Sequence, residues 1–153
     1  MSDEGQFIPP MPEDRFWALV EQSEGDAEQL KTILLALPAE DICAFSLTLD
    51  DMMYALDRRN IHDVTDGSED GFEYVRLWII SQGRKYYESV LADPQNAPED
   101  ATAGENEHFG YAPEDAYEAK VGASFPAAIR QHRNARFATM SNTAGWSDSS
   151  QGN

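Results

Sequence analysis

Residues 68–94, SEDGFEYVRLWIISQGRKYYESVLADP, decide the fold class. Phe72, Val75, Trp78, Ile79 and Ile80 recur at the three- and four-residue spacing of a helix with one apolar face. Glu69 and Asp70 sit where a first turn favours acids, and Ser68 or Asp66 can cap it. Gly83 ends or kinks this helix. Tyr86, Tyr87, Val90 and Leu91 then repeat the pattern until Asp93-Pro94 stops the chain.

The same period extends toward the N-terminus. Glu13 and Asp14 open a helix whose face carries Phe16, Leu19 and Val20, with Trp17 beside them. Residues 23–26 break it, and Asp26 is a natural N-cap for a second helix bearing Leu30, Ile33, Leu34 and Leu37, bounded by Pro38. A longer helix starts at Ala39 with Ile42, Phe45, Leu49, Met52 or Met53, and Leu56 in register. It ends at Arg58 and Arg59, the sign that suits a helix C-terminus. Residues 60–71, dense in Asn, Asp and Gly, read as a loop.

Toward the C-terminus the pattern thins. Residues 93–111 read as a long acidic loop, broken by Pro94, Pro98 and Gly104 and charged by Glu99, Asp100, Glu105 and Glu107. A short helix with Pro113 in its first turn and Gly122 past its end follows. Another begins near Ser124, read as its cap, with Phe125, Ile129, Phe137 and Met140 as anchors. The expected architecture is therefore all-α, a compact bundle of about five to seven helices over residues 13–140. Residues 1–12 are expected to form a flexible arm and 141–153 a disordered tail, which leaves Trp146 without a role.

The chain has 153 residues and a formal charge of −17, enough for one domain and close in composition to intrinsic disorder. Distribution settles that ambiguity. Of 29 Leu, Ile, Val and Phe residues, 22 lie between 15 and 92, so a real core can form there. Charge is uneven as well: residues 94–120 carry −6, whereas 121–140 contain no acid and carry +3 from Arg130, Arg133 and Arg136. That basic helix either docks on the acidic body through Ile129 and Phe137 or serves as a detachable segment that reads an acidic partner. The overall acidity argues against direct binding to nucleic acid or to an anionic membrane. No apolar run approaches the roughly 18 residues of a membrane span. The acidic N-terminus shows no signal-peptide pattern, and the single Cys43 makes no internal disulfide, so the expected compartment is the cytoplasm.

Chemistry-bearing residues concentrate on the 70–84 helix. Asp70, Glu73, Arg76, Trp78 and Gln82, followed by Arg84, put acids, a base and an indole within a few turns. Two roles are open for them: a cap, an ion pair and a core anchor, or the floor of a small anionic-ligand or peptide pocket with Arg76 as anchor. His62, His108 and His132 are isolated, and no zinc spacing occurs, so no metal or cofactor is expected. Cys43 follows Ile42 on an amphipathic helix and reads as a buried small residue. No nucleophile elbow or phosphate-cradling glycine loop is present, and no catalytic residue is expected.

Three stretches, RFWALVEQ (15–22), LPAEDICAF (37–45) and above all the 68–94 segment, resemble a bacterial family of unknown function, domain of unknown function 4240. The resemblance rests on Phe16, Trp17, Leu37, Pro38, Glu40, Ile42, Asp70, Gly71, Phe72, Arg76, Trp78, Ile80, Gly83 and Arg84, and extends to HFGYAPEDAYEAKVG (108–122). Residues 54–69 depart from it, being shorter than the aromatic and alanine-rich stretch usual there. The resemblance implies a compact, mainly helical domain and no established activity.

Taken together, these features favour a non-enzymatic acidic interaction module that binds a basic protein partner, as inhibitors and immunity proteins do. Glu99, Asp100, Glu105, Glu107, Arg130, Arg133 and Arg136 are its candidate contact residues. The alternatives are a nucleic-acid mimic that blocks a DNA- or RNA-binding protein, and a small-ligand binder or enzyme built on the Asp70–Arg84 helix.

Overall fold

The computed structural model describes residues 8–65, 69–98 and 107–146. Among them are helices α1 (Glu13–Gln22), α2 (Ala27–Leu35), α3 (Ala39–Leu56), α4 (Arg59–Thr65), α5 (Glu69–Ser81), α6 (Arg84–Ala92), α7 (Glu107–Val121), α8 (Ala127–Asn134) and α9 (Thr143–Trp146). A 3-10 turn spans Pro94–Asn96, and the described residues include no strand.

Helix α3 is the central rod. Eleven of its eighteen residues are buried, because α1, α5, α7 and α8 all pack around it and a helix covered on several sides must be apolar on several sides. Phe16 of α1 stacks on Phe45 of α3 with ring centroids 4.7 Å apart. Trp17 lies 5.0 Å from Tyr87 of α6, whose hydroxyl donates to the Met52 carbonyl of α3. Helix α2 packs mainly on α7, burying Leu30 and Leu34.

The boundaries follow local chemistry. Asp26 caps α2 by accepting the Gln29 N–H at 2.9 Å. Gly83 breaks α5 from α6 with φ at +105°, a conformation natural to glycine. The first N–H of α6, on Arg84, is then satisfied from α1 by the Glu21 carboxylate at 3.1 Å. Pro113 lies inside α7 and is buried; it lacks the N–H that would bond to the preceding turn.

Several boundaries differ from the sequence reading. The helices among the described residues exceed the expected five to seven because residues 60–65 of the expected loop belong to α4, anchored by buried Ile61 and Thr65, and Thr143–Trp146 of the expected tail form α9. The acidic loop is shorter than expected: α7 already begins at Glu107 rather than near Pro113, while residues 99–106 lie outside the described part. Ser124 caps nothing, since α8 starts after Pro126. Within the arm expected over residues 1–12, of which 1–7 lie outside the described residues, the Met11 N–H donates to Ala44 O and the Met11 carbonyl accepts from Thr48. Finally, residues 141–146 of the expected disordered tail are docked on the body.

Candidate functional site

The docked segment gathers its hydrogen bonds mainly on one residue. Asp57 follows the end of α3 and is fully buried. Its Oδ1 accepts from Met140 N at 2.9 Å and from the Trp146 indole at 2.7 Å, and its Oδ2 accepts from Asn142 N at 2.8 Å. A buried carboxylate demands such partners, and charge-assisted bonds are the stronger kind. The Asn142 side chain adds a bond to Tyr54 O. Gly145 is needed at its place: a Cβ there would lie 2.7 Å from the Asp57 carbonyl oxygen. The Trp146 ring then packs 5.2 Å from His62 and 6.2 Å from Phe72. Residues 135–146 thus form a strap across the ends of α3 and α5.

Arg76 completes this anchor. It is fully buried, donates from Nη1 to Met53 O at 3.0 Å and from Nη2 to Phe137 O at 2.7 Å, and lies over the Phe72 ring at 4.9 Å. Burial pushes its pKa down to about 10, against the pull of the Asp57 and Glu73 charges. It remains cationic at neutral pH. Of the two roles left open for Arg76, the contacts are those of a core anchor: its two Nη groups are directed at backbone carbonyls, because a guanidinium in the core needs acceptors there, while Nε has no hydrogen-bond partner among the described residues.

The other described members of that set sit in separate surroundings. Glu73 lines a groove of about 270 Å3 with Tyr74, Glu107, Tyr111 and Arg133. Trp78 is half-buried against Tyr86 at 5.7 Å. Gln82 is exposed beside Ser81. The Asp70 side chain lies outside the described part, as do Glu99, Asp100 and Glu105. Glu107 accepts from the Tyr111 hydroxyl at 3.0 Å.

The basic helix docks on α3. His132 bridges two acids, with Nδ1 3.0 Å from Asp50 and Nε2 3.4 Å from Asp51, and Arg136 Nε also meets Asp51 at 3.2 Å. Asp50 is fully buried, and among the described residues its Oδ1 has no hydrogen-bond partner. Burial pushes its carboxyl up to about 6, while the His132 bond and the Arg133 charge hold it back. With Nδ1 on Asp50 and Nε2 near Asp51, His132 ties the basic helix to α3. Arg133 stacks on Phe137 at 4.2 Å and reaches Glu114 at 3.9 Å. Arg130 donates to Phe125 O. The arginines considered for partner contact are engaged within the chain.

Two further features bear on chemistry. Arg84 joins α6 to α1 by pairing with Asp14 at 2.7 Å, Glu88 at 2.9 Å and Glu13 at 3.5 Å; the Asp14 and Glu88 hydrogen bonds raise its pKa above the ordinary range. Cys43 is buried, and burial pushes its thiol up to about 11, which removes the thiolate a nucleophile needs. Among the described residues no three His, Cys, Asp or Glu side chains converge as metal ligands, and no helix is long and apolar enough to cross a membrane.

Sequence reasoning missed Asp57 and the strap, and it read Arg58 and Arg59 only as a helix end. The one available sign was Trp146, an aromatic residue stranded in a polar stretch.

No curated protein and no solved structure matches this chain. A family model described as protein of unknown function (DUF4240) matches residues 11–119. That span takes in the α1 aromatics, the Asp57 anchor and the whole of α5 and α6, and the chain belongs to this family.

Proposed function

We propose that this protein is a non-enzymatic interaction module whose carboxylate surface binds a basic protein partner, in the manner of an inhibitor or immunity protein. The observation that carries this reading is the fate of the cations. Arg76 is sealed in the core, Arg84 is held by three acids, and His132 and Arg136 sit over Asp50 and Asp51. Lys120 bonds to Leu35 O and Arg15 to Asp41. Acids outnumber Lys and Arg by 28 to 11, and with these cations committed to partners within the chain the surplus carboxylates stay uncompensated. Exposed Glu28 on α2, Glu40 on α3 and Asp115 and Glu118 on α7 belong to that face. Such a field attracts a cationic protein and speeds its association. A cytoplasmic setting is part of the proposal and agrees with a single, buried cysteine.

The test is affinity capture from the native cell with quantitative mass spectrometry. Wild type is compared with two charge-reversed variants, one at Glu28, Glu40, Asp115 and Glu118, the other at Glu99, Asp100, Glu105 and Glu107. A basic protein that wild type retains, and that either folded variant or added salt releases, supports the reading. An identical captured set in all three defeats it.

A further inference from the structure

Residues 8–12, Ile-Pro-Pro-Met-Pro, lead into α1 without helical structure. Their own chemistry extends them. The proline rings fix φ at about −65°, and Ile8, Pro9 and Met11 each precede a proline, which pushes them out of the helical region. Pro12 has φ −56° and ψ 143°, the values of polyproline II. That conformation turns once in about three residues, so Ile8 and Met11 share one edge, Pro9 and Pro12 a second, and Pro10 a third. Burial divides the segment in the same way: Met11 is buried and Ile8 packs on the core, whereas Pro9, Pro10 and Pro12 are exposed. We infer that Pro9, Pro10 and Pro12 form a docking ridge for a protein module whose groove is lined with aromatic side chains and rimmed with Lys or Arg.

Three observations carry the inference. The ridge already has the form that aromatic-lined grooves read in proline-rich segments, so little ordering is left for binding to impose. It cannot serve as an added strand, because three of its residues have no N–H to give; ring faces are what it offers. It is also fastened to the body. The Met11 N–H donates to Ala44 O at 3.1 Å and the Met11 carbonyl accepts from Thr48 Oγ1 at 2.8 Å, which holds the two proline edges outward. Its surroundings, finally, are acidic. Glu13, Asp14, Glu40 and Asp41 outnumber Arg15 and Arg84, the guanidinium groups paired with three of them, and a cleft of about 240 Å3 beside the ridge has Glu40 and Asp41 in its lining. A complementary groove therefore carries cations on its rim. The sign of that rim rests on the basic-partner reading above; the aromatic lining does not.

Affinity capture by the full chain from its native cell, with a synthetic peptide of residues 8–15 as competitor, tests it. Wild type is compared with the double variant Pro9→Ala, Pro10→Ala, which leaves Met11 and the start of α1 in place. A basic protein is expected whose retained amount falls at least about tenfold in the variant and on addition of the peptide, and is unchanged by the same peptide with alanine for its prolines. Hydrogen exchange of that protein with and without the peptide should show protection around clustered aromatic residues. Protection away from aromatic residues, or capture of only a second copy of this chain, overturns the inference. A basic protein released by the charge-reversed variants but retained by Pro9→Ala, Pro10→Ala and in the presence of the peptide overturns the ridge and leaves the acidic surface standing; retention of no basic protein by wild type overturns both. If the double variant melts early by circular dichroism, the peptide competition, which alters no residue of the chain, decides.

Discussion

Asp57 and Trp146, 89 residues apart in sequence, meet in a 2.7 Å hydrogen bond from the indole Nε1 to the carboxylate Oδ1. The same carboxylate accepts two backbone N–H groups of the strap, so three donors depend on one side chain. Asp57→Ala leaves those donors and the nearby Arg76 charge without it. A loss of roughly 3–5 kcal/mol is expected, as for a broken buried charge network. Trp146→Phe removes a single bond and should cost about 1.5–3 kcal/mol. Urea denaturation of both variants measures the two losses, and equal losses would contradict the ranking.

Arg76 spans two carbonyls, Met53 O and Phe137 O. Arg76→Lys supplies a point charge where a fork is needed and should restore only part of what Arg76→Ala loses. The alanine loss is expected at about 3–5 kcal/mol. Calorimetric melting of the pair decides whether fork geometry matters, because indistinguishable variants would exclude it.

Asp50 binds its proton more tightly in the folded chain, at about 6 against an ordinary 3.8. Ionising it therefore costs the native state nothing below about 4, increasingly more up to about 6, and the full amount above. Asp50→Asn escapes this cost. Its stability relative to wild type should rise between pH 4 and 7 by roughly 3 kcal/mol, since each tenfold difference in proton affinity between the folded and unfolded chain is worth about 1.4 kcal/mol. Denaturation curves across that range test the sign, and a constant difference refutes it.

Met140 adopts φ +75° while its N–H holds Asp57. That conformation costs an L side chain roughly 1–2 kcal/mol, which glycine escapes. Greater freedom of the unfolded chain offsets part of the gain. Met140→Gly should therefore raise stability by about 0.5–1 kcal/mol, read as a higher denaturation midpoint.

The α1–α2 hairpin, the long α3 and the break at Gly83 were legible because apolar spacing, an Asp cap and a glycine are signals local to the chain. Helix α4 was not legible: it buries only Ile61 and Thr65 in a stretch crowded with turn-forming residues. The strap was misread for a different reason. Its Ser, Asn and Gly content is what disorder also shows, and the force that orders it comes from Asp57, more than 80 positions away. Arg76 stood out as unusual with two roles open, and the residues alone did not decide between them, since the backbone carbonyls that receive it have no trace in residue identity. Docking of the basic helix through Ile129 was one of two readings left open by its charge, and the acids it meets, Asp50 and Asp51, lie on a helix whose burial could be judged only after folding.

The strap also sets the length of the cooperative unit. The family match ends at residue 119, yet Asp57 and Arg76, both within it, find their partners between Phe137 and Trp146. A chain cut where the likeness stops would present to water a carboxylate and a guanidinium shaped for burial. The smallest piece expected to melt as one body therefore extends to Trp146.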